Sequence, residues 1–140
     1  MNAKKRWEHF SHEADIGVRG YGATVSEAFA MGALALTNVI TRSQSVHPHK
    51  KIQITCEAPN QEILFVDWLN AIIYNMAIHN MLFRDFDVAI KGLKLNAIIA
   101  GEHVDISRHQ PAVEVKGATF TELKVYPSNN IWVAQCVVDV

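Results

Sequence analysis

The chain has only two cysteines, no glycine-, serine- or proline-rich linker, and no marked excess of charge of either sign. Cys56 and Cys136 stand far apart, without paired or metal-ligand spacing. A disulfide scaffold is therefore disfavoured, and both thiols are expected to be reduced in the core of a cytoplasmic protein. Thirteen Lys+Arg against fourteen Asp+Glu give a formal charge of −1. That lacks the basic surplus that drives non-specific binding to a polyanion, so any nucleic-acid role is expected to be indirect. The densest apolar stretch, Ile63 to Ile78, is interrupted by Asp67, Asn70 and Asn75 and is too short to span a membrane. The basic start, Met1 to Arg6, runs into Trp7-Glu8-His9 rather than an apolar core, which argues against a secretory signal.

Nucleotide-binding and hydrolase signatures are missing as well. There is no Walker loop and no G-x-S-x-G elbow, and Gly20-Tyr21-Gly22 is too short for a dinucleotide fingerprint. The histidines His47-Pro48-His49, His103 and His109 lack the Cys/His spacing of structural zinc sites and the H-E-x-x-H of metalloproteases, so zinc is set aside on motif grounds. His109 is expected to order its own loop, and His79 to favour a helix C-terminus.

What is present is the composition of one ordinary globular domain over 1–140, with 49% hydrophobic and 19% charged residues. Thr24-Val-Ser-Glu27 matches a capping box. It opens a helix whose apolar face, Val25, Ala28, Phe29, Gly32, Leu36, Val39 and Ile40, runs to about residue 40. Lys51 to Ala58 alternates as a half-buried strand. Pro59-Asn60 opens a second helix, Gln61 to about Asn80, so apolar around its circumference that it is expected to be the central buried helix. A period of two then returns, with paired strands turning near Lys91-Gly92. A polar patch, Gly101 to Pro111, precedes two further strands, about 113–126 and 131–139, flanking Pro127-Ser-Asn-Asn130. The pattern predicts an α+β fold: two helices packed on a largely antiparallel β-sheet.

Polar residues gather at His12-Glu13-Ala14-Asp15, at Glu102 to Asp105 with His109, and at Lys116 and Asp139. Asp15, beside Ile16-Gly17, can aim at a cation or form an Asx-turn onto nearby amides. Asp139 lies on a strand in which Val133, Gln135, Val137 and Asp139 share a face. With the carboxylate of Val140 one residue away, it can complete an oxygen-rich site for calcium, magnesium or manganese, or remain a solvated charge. Asp67 and Asn70, amid apolar residues of the second helix, need internal partners if buried.

Taken in order, His12-Glu-Ala-Asp15-Ile-Gly17, Thr24-Val-Ser-Glu-Ala-Phe29, Leu64-Phe-Val-Asp-Trp-Leu-Asn70, Leu82-Phe83, Gly101-Glu-His-Val-Asp105 with Arg108-His109, Val115-Lys116-Gly-Ala-Thr119 and Trp132-Val-Ala-Gln with Val138-Asp139-Val140 resemble the archease family across nearly the whole chain. Each segment is short, but their order and spacing are jointly specific. The resemblance implies a non-catalytic cofactor of the RtcB-type RNA ligase, which joins RNA ends through a guanylylated histidine and a manganese centre. Archeases promote that guanylylation and repeated turnover in tRNA splicing or RNA repair. The family's metal-binding acids map onto Asp15 and Asp139, with Val140 adjacent, and its required lysine onto Lys116. Ala71 stands where the family usually has an acid, and Glu13 where it commonly has threonine. Two other classes compete: a metal-dependent hydrolase or nuclease using the same carboxylates, and a chaperone-like binding protein.

Overall fold

Alternating and helical segments follow one another as β1 (Arg6–His12), β2 (Asp15–Gly22), α1 (Val25–Ile40), β3 (Lys50–Glu57), α2 (Gln61–His79), β4 (Met81–Lys91), β5 (Lys94–His103), α3 (Ile106–His109), β6 (Gly117–Ala118), β7 (Lys124–Ser128) and β8 (Ile131–Asp139). This is the order in the computed structural model, which describes residues 5–140. Most of the basic start, Met1 to Lys4, lies outside the described residues. A 3₁₀ turn, Ser43–Ser45, follows α1.

The strands form two antiparallel sheets. In the five-stranded sheet β1 pairs β2 and β2 pairs β8, while β6 and β7 both pair the other edge of β8; the three-stranded sheet runs β3-β5-β4. Both long helices touch both sheets, so one core collects Val18 and Cys136 from the first sheet, Leu95 and Ile99 from the second, and Phe29, Leu36, Phe65 and Trp68 from the helices. Among the described residues no helix is long and apolar enough to cross a membrane.

Local chemistry explains the helix ends. Thr24 Oγ1 accepts from the Glu27 amide at 3.1 Å, and Glu27 Oε1 reaches back to the Ala23 amide at 2.8 Å. The box thus closes on the residue ahead of the cap. Asn60 Oδ1 caps α2 through Ile63 N at 2.8 Å, and Asn80 ends it in the left-handed region with φ 52°.

The expectation that α2 is the central buried helix is corrected. Leu64, Phe65, Trp68, Leu69 and Ile72 are buried, but Tyr74 is 62% and Ile78 54% exposed. The helix with more buried positions is α1. Its small residues let it lie close to β2: a methyl added at Gly20 would overlap main-chain atoms of Ala28 and Gly32.

The β4–β5 hairpin turns through Gly92, φ 61°, between the paired Lys91 and Lys94. The β7–β8 hairpin turns through Asn129 and Asn130, both at positive φ, with Ser128 opposite Ile131. The single strand expected over 113–126 is also corrected. It is two short strands, β6 and β7, separated by a loop in which Glu122 takes φ 54°. Within that break, Thr119 Oγ1 donates to Val137 O at 2.8 Å and accepts from Thr121 N at 3.2 Å, while Thr119 N and Thr121 O still bond the Val137 main chain, so the pairing with β8 becomes irregular before the chain turns.

Strand β1 had no apolar alternation to announce it. It pairs along its whole length with β2, and a polar chain crosses the sheet beside that ladder: Arg19 Nη1 donates to Glu8 Oε2 at 2.8 Å and Arg19 Nε to Gln135 Oε1 at 2.7 Å. Tyr21 also donates to Glu8, at 3.1 Å. Burial opposes ionisation of Glu8, but the hydrogen bonds from Arg19, Arg6 and Tyr21 outweigh it and hold the carboxyl below its ordinary value.

Candidate functional site

Strand β8 is the axis of the site. Its pairing with β2 runs to Ile16 opposite Val138, which leaves Asp15 beside the end of β8. There Asp15 Oδ1 accepts from the Val140 amide at 3.3 Å. On the other edge Gly117 is opposite Asp139, and the Lys116 amide donates to the Asp139 carbonyl at 2.7 Å. Residues Asp15, Lys116, Asp139 and Val140, spread over the chain, therefore meet at one end of the five-stranded sheet. Asp139 and Lys116 are exposed, Asp15 and Val140 half-buried, and the neighbouring Val115 and Val138 are buried. The result is a polar tip on an apolar base.

Helix α2 supports this tip. Asn70 Oδ1 accepts from the Ala118 amide at 2.9 Å, so the half-buried amide expected to need an internal partner finds it on β6, next to Lys116. Trp68 Nε1 donates to Phe29 O at 2.9 Å, and Asp67 is exposed. Thr119 N adds a bond to Val137 O at 3.0 Å. Without these anchors the two-residue strand β6 would have little to hold it.

The donor set at the tip is all oxygen: the carboxylates of Asp15 and Asp139 and the main-chain oxygens around Val140. That chemistry fits a hard dication such as calcium, magnesium or manganese better than a thiophilic one. Glu13 lies outside it, exposed at φ 54° in the tight turn between His12 and Asp15. Ala71 packs against the core.

The second polar concentration is built around Glu102 on β5. Its Oε2 accepts from Arg108 Nη1 at 2.8 Å, from the His47 amide at 2.7 Å and from His109 Nε2 at 2.9 Å. The hydrogen bond from Arg108 is the main reason its carboxyl sits well below the usual carboxylate range, against the opposing effect of burial. His109 is 3% exposed, and its Nδ1 accepts from the Asp105 amide at 2.9 Å. Nδ1 is thus unprotonated, and Nε2 carries the hydrogen donated to Glu102. His109 orders its loop as the sequence suggested, helped by Thr41 Oγ1, which donates to the His109 carbonyl at 2.6 Å.

The cysteines are free and unsuited to nucleophilic chemistry. Burial pushes the Cys136 thiol up to about 12, and burial with the nearby Asp67 charge also raises Cys56.

The chain is similar to known proteins over nearly its whole length. The model of the Archease protein family matches residues 7–140. A protein archease from Pyrococcus abyssi is 38% identical over 141 residues, covering 97% of this chain and 99% of that protein. The solution structure of Methanobacterium thermoautotrophicum protein 1598 superposes with a TM-score of 0.85 at 26% identity, over 96% of this chain and 98% of that one. The crystal structure of an archease from Thermotoga maritima, described as a possible chaperone, shares the fold with a TM-score of 0.59 at 15% identity, over 95% and 96% of the two chains.

Proposed function

The chain belongs to the archease family, and on that premise we propose that it is a divalent-cation-binding activator of an RtcB-type RNA ligase in tRNA splicing or RNA repair. It acts on the ligase and touches RNA only indirectly, in keeping with its net charge of −1. What supports this reading is the meeting of Asp15, Lys116, Asp139 and Val140 at one accessible end of the five-stranded sheet.

In this proposal Asp15 and Asp139, with a main-chain oxygen of Val140, hold calcium, magnesium or manganese. When bound, such an ion supplies positive charge toward phosphate oxygens. Asp15 is oriented by the Val140 amide, and Asp139 by its pairing with β6. The exposed Lys116 directs its ammonium toward a nucleotide phosphate at the ligase. Strand β6, tied to Asn70, keeps the Lys116 main chain beside Asp139, from where its long side chain can reach the group that the ion bears on. The protein itself performs no bond-making step.

The test is guanylylation of a cognate RtcB-type ligase by GTP, with this protein present at less than the ligase concentration. Faster guanylylation and repeated ligation, both lost with Asp15→Asn or Lys116→Ala, support the proposal. Unchanged guanylylation would refute it. Metal-dependent RNA cleavage by the protein alone, sensitive to Asp15, would favour a hydrolase.

A further inference from the structure

We propose that His47, His49 and Glu102 form a second metal site, selective for a zinc-class dication and separate from the carboxylate tip. Among the described residues this is the one group of three or more His, Cys, Asp or Glu side chains whose ligand atoms all lie within 4.8 Å of one another. Motif spacing alone disfavours zinc, because His47-Pro48-His49, His103 and His109 lack the Cys/His spacing of structural sites and the H-E-x-x-H of metalloproteases. Strand β5 supplies the third ligand from a distant part of the chain.

The geometry is prepared in two ways. The His49 amide donates to the His47 carbonyl at 2.9 Å across Pro48, a tight three-residue turn. It brings the two rings to a centroid separation of 5.5 Å at 81°. Opposite them, Lys50 pairs with Gly101, which sets Glu102 across from His49.

Glu102 is also divided in its commitments. Oε2 takes Arg108, His109 and the His47 amide. Oε1 faces His47 Nδ1 at 3.9 Å, too far for a hydrogen bond but close to the spacing of two ligands on one ion. Ligand bonds of about 2.0–2.2 Å at a tetrahedral angle put neighbouring donors roughly 3.3–3.6 Å apart. Both imidazoles are exposed, so small rotations close the remaining gap. Arg108 and His109 fix the carboxylate from behind, as outer partners of a ligand do.

Two imidazoles and one carboxylate suit zinc, copper or nickel, whereas calcium and magnesium take oxygen ligands. The two sites of this chain thus differ in chemistry. Three protein ligands leave a fourth position open. Binding ties the 46–49 segment to β5.

The experiment titrates the full chain with zinc by calorimetry and with cobalt(II) by visible absorption, in chelator-free buffer. The expected result is saturable zinc binding and a tetrahedral-type cobalt spectrum. Both persist in Asp15→Asn/Asp139→Asn and in excess calcium, and zinc raises the melting temperature. His47→Ala and His49→Ala each weaken binding at least about tenfold, and the double variant abolishes it. Without metal these variants melt like the parent, because both side chains are exposed. Absence of saturable zinc binding in the parent, or undiminished binding in the double variant, would overturn the proposal. Loss of zinc binding in Asp15→Asn/Asp139→Asn would also overturn it, since the ion would then sit at the tip.

Discussion

The carboxylate of Asp15 accepts its hydrogen bond from the main-chain amide of Val140, at 3.3 Å and across 125 positions of sequence. In the sequence, an aspartate followed by Ile16-Gly17 suggests a cation ligand or a local Asx-turn onto nearby amides. The partner is instead at the far end of the chain, because β2 and β8 are neighbours in the sheet. Asp15→Asn keeps an acceptor for Val140 but removes the charge. It is expected to melt within about 0.5 kcal/mol of the parent while losing calcium, magnesium or manganese binding, checked by thermal denaturation beside calorimetric titration. Normal ion binding in this variant and in Asp139→Asn would remove the proposed donor set.

Lys116 offers its main chain to Asp139 and its side chain to solvent. Lys116→Ala is expected to lower ligase guanylylation at least about tenfold, or ~1.4 kcal/mol, with divalent-ion binding intact. Lys116→Arg should restore only part of the effect, because a planar guanidinium presents its donors differently. Activation equal to the parent in the alanine variant would take Lys116 out of the site.

Asn70 joins α2 to the strand that carries Lys116. In Asn70→Ala the Ala118 amide loses its acceptor, and a destabilisation of about 1–3 kcal/mol is expected. Chemical denaturation gives that number. Amide exchange should quicken at Ala118 more than at Val138, and unaltered exchange at Ala118 would deny Asn70 its anchoring role.

Glu102 is expected to make the fold less stable in acid. Its folded carboxyl is held below the ordinary value, so ionised Glu102 stabilises the protein above the unfolded value of about 4.3, and that stability is lost as the pH falls below it. Glu102→Gln is expected to cost about 1–3 kcal/mol at neutral pH. The gap from the parent should narrow steadily below pH ~4, measured by thermal melts across the acid range. A gap independent of pH would mean that the charge contributes little.

Gly20 faces main-chain atoms of α1, which would have to move to admit a methyl. Gly20→Ala should destabilise by at least about 1–3 kcal/mol, whereas the same change at Gly92, where nothing lies within 4 Å but φ is 61°, should cost about 1 kcal/mol through backbone strain. Equal denaturation midpoints for parent and Gly20→Ala would show that α1 can shift.

By itself the sequence determined the local elements. Capping chemistry at Thr24 and Asn60, the helical period after each, the alternation of β3 and β5 and the Asn-Asn turn before β8 act within a few residues, so each could be read in place. The ordered short motifs likewise identified the family, together with the acids and the lysine now proposed as the tip. Only the tertiary structure decided which distant residues meet. Strand β1 is placed by its ladder with β2 and by Arg19, which bridges Glu8 and Gln135 across the sheet, and the 113–126 segment becomes irregular where Thr119 and Thr121 gather on Val137. α2 leaves Tyr74 and Ile78 in solvent because the core needs only one of its faces. Asp15 reaches Val140, and Glu102 reaches His47, through strand pairing between segments far apart in the chain. Periodicity sets which face of an element is apolar, but the choice of partner depends on burial and hydrogen bonding across the assembled sheets, which no local pattern encodes.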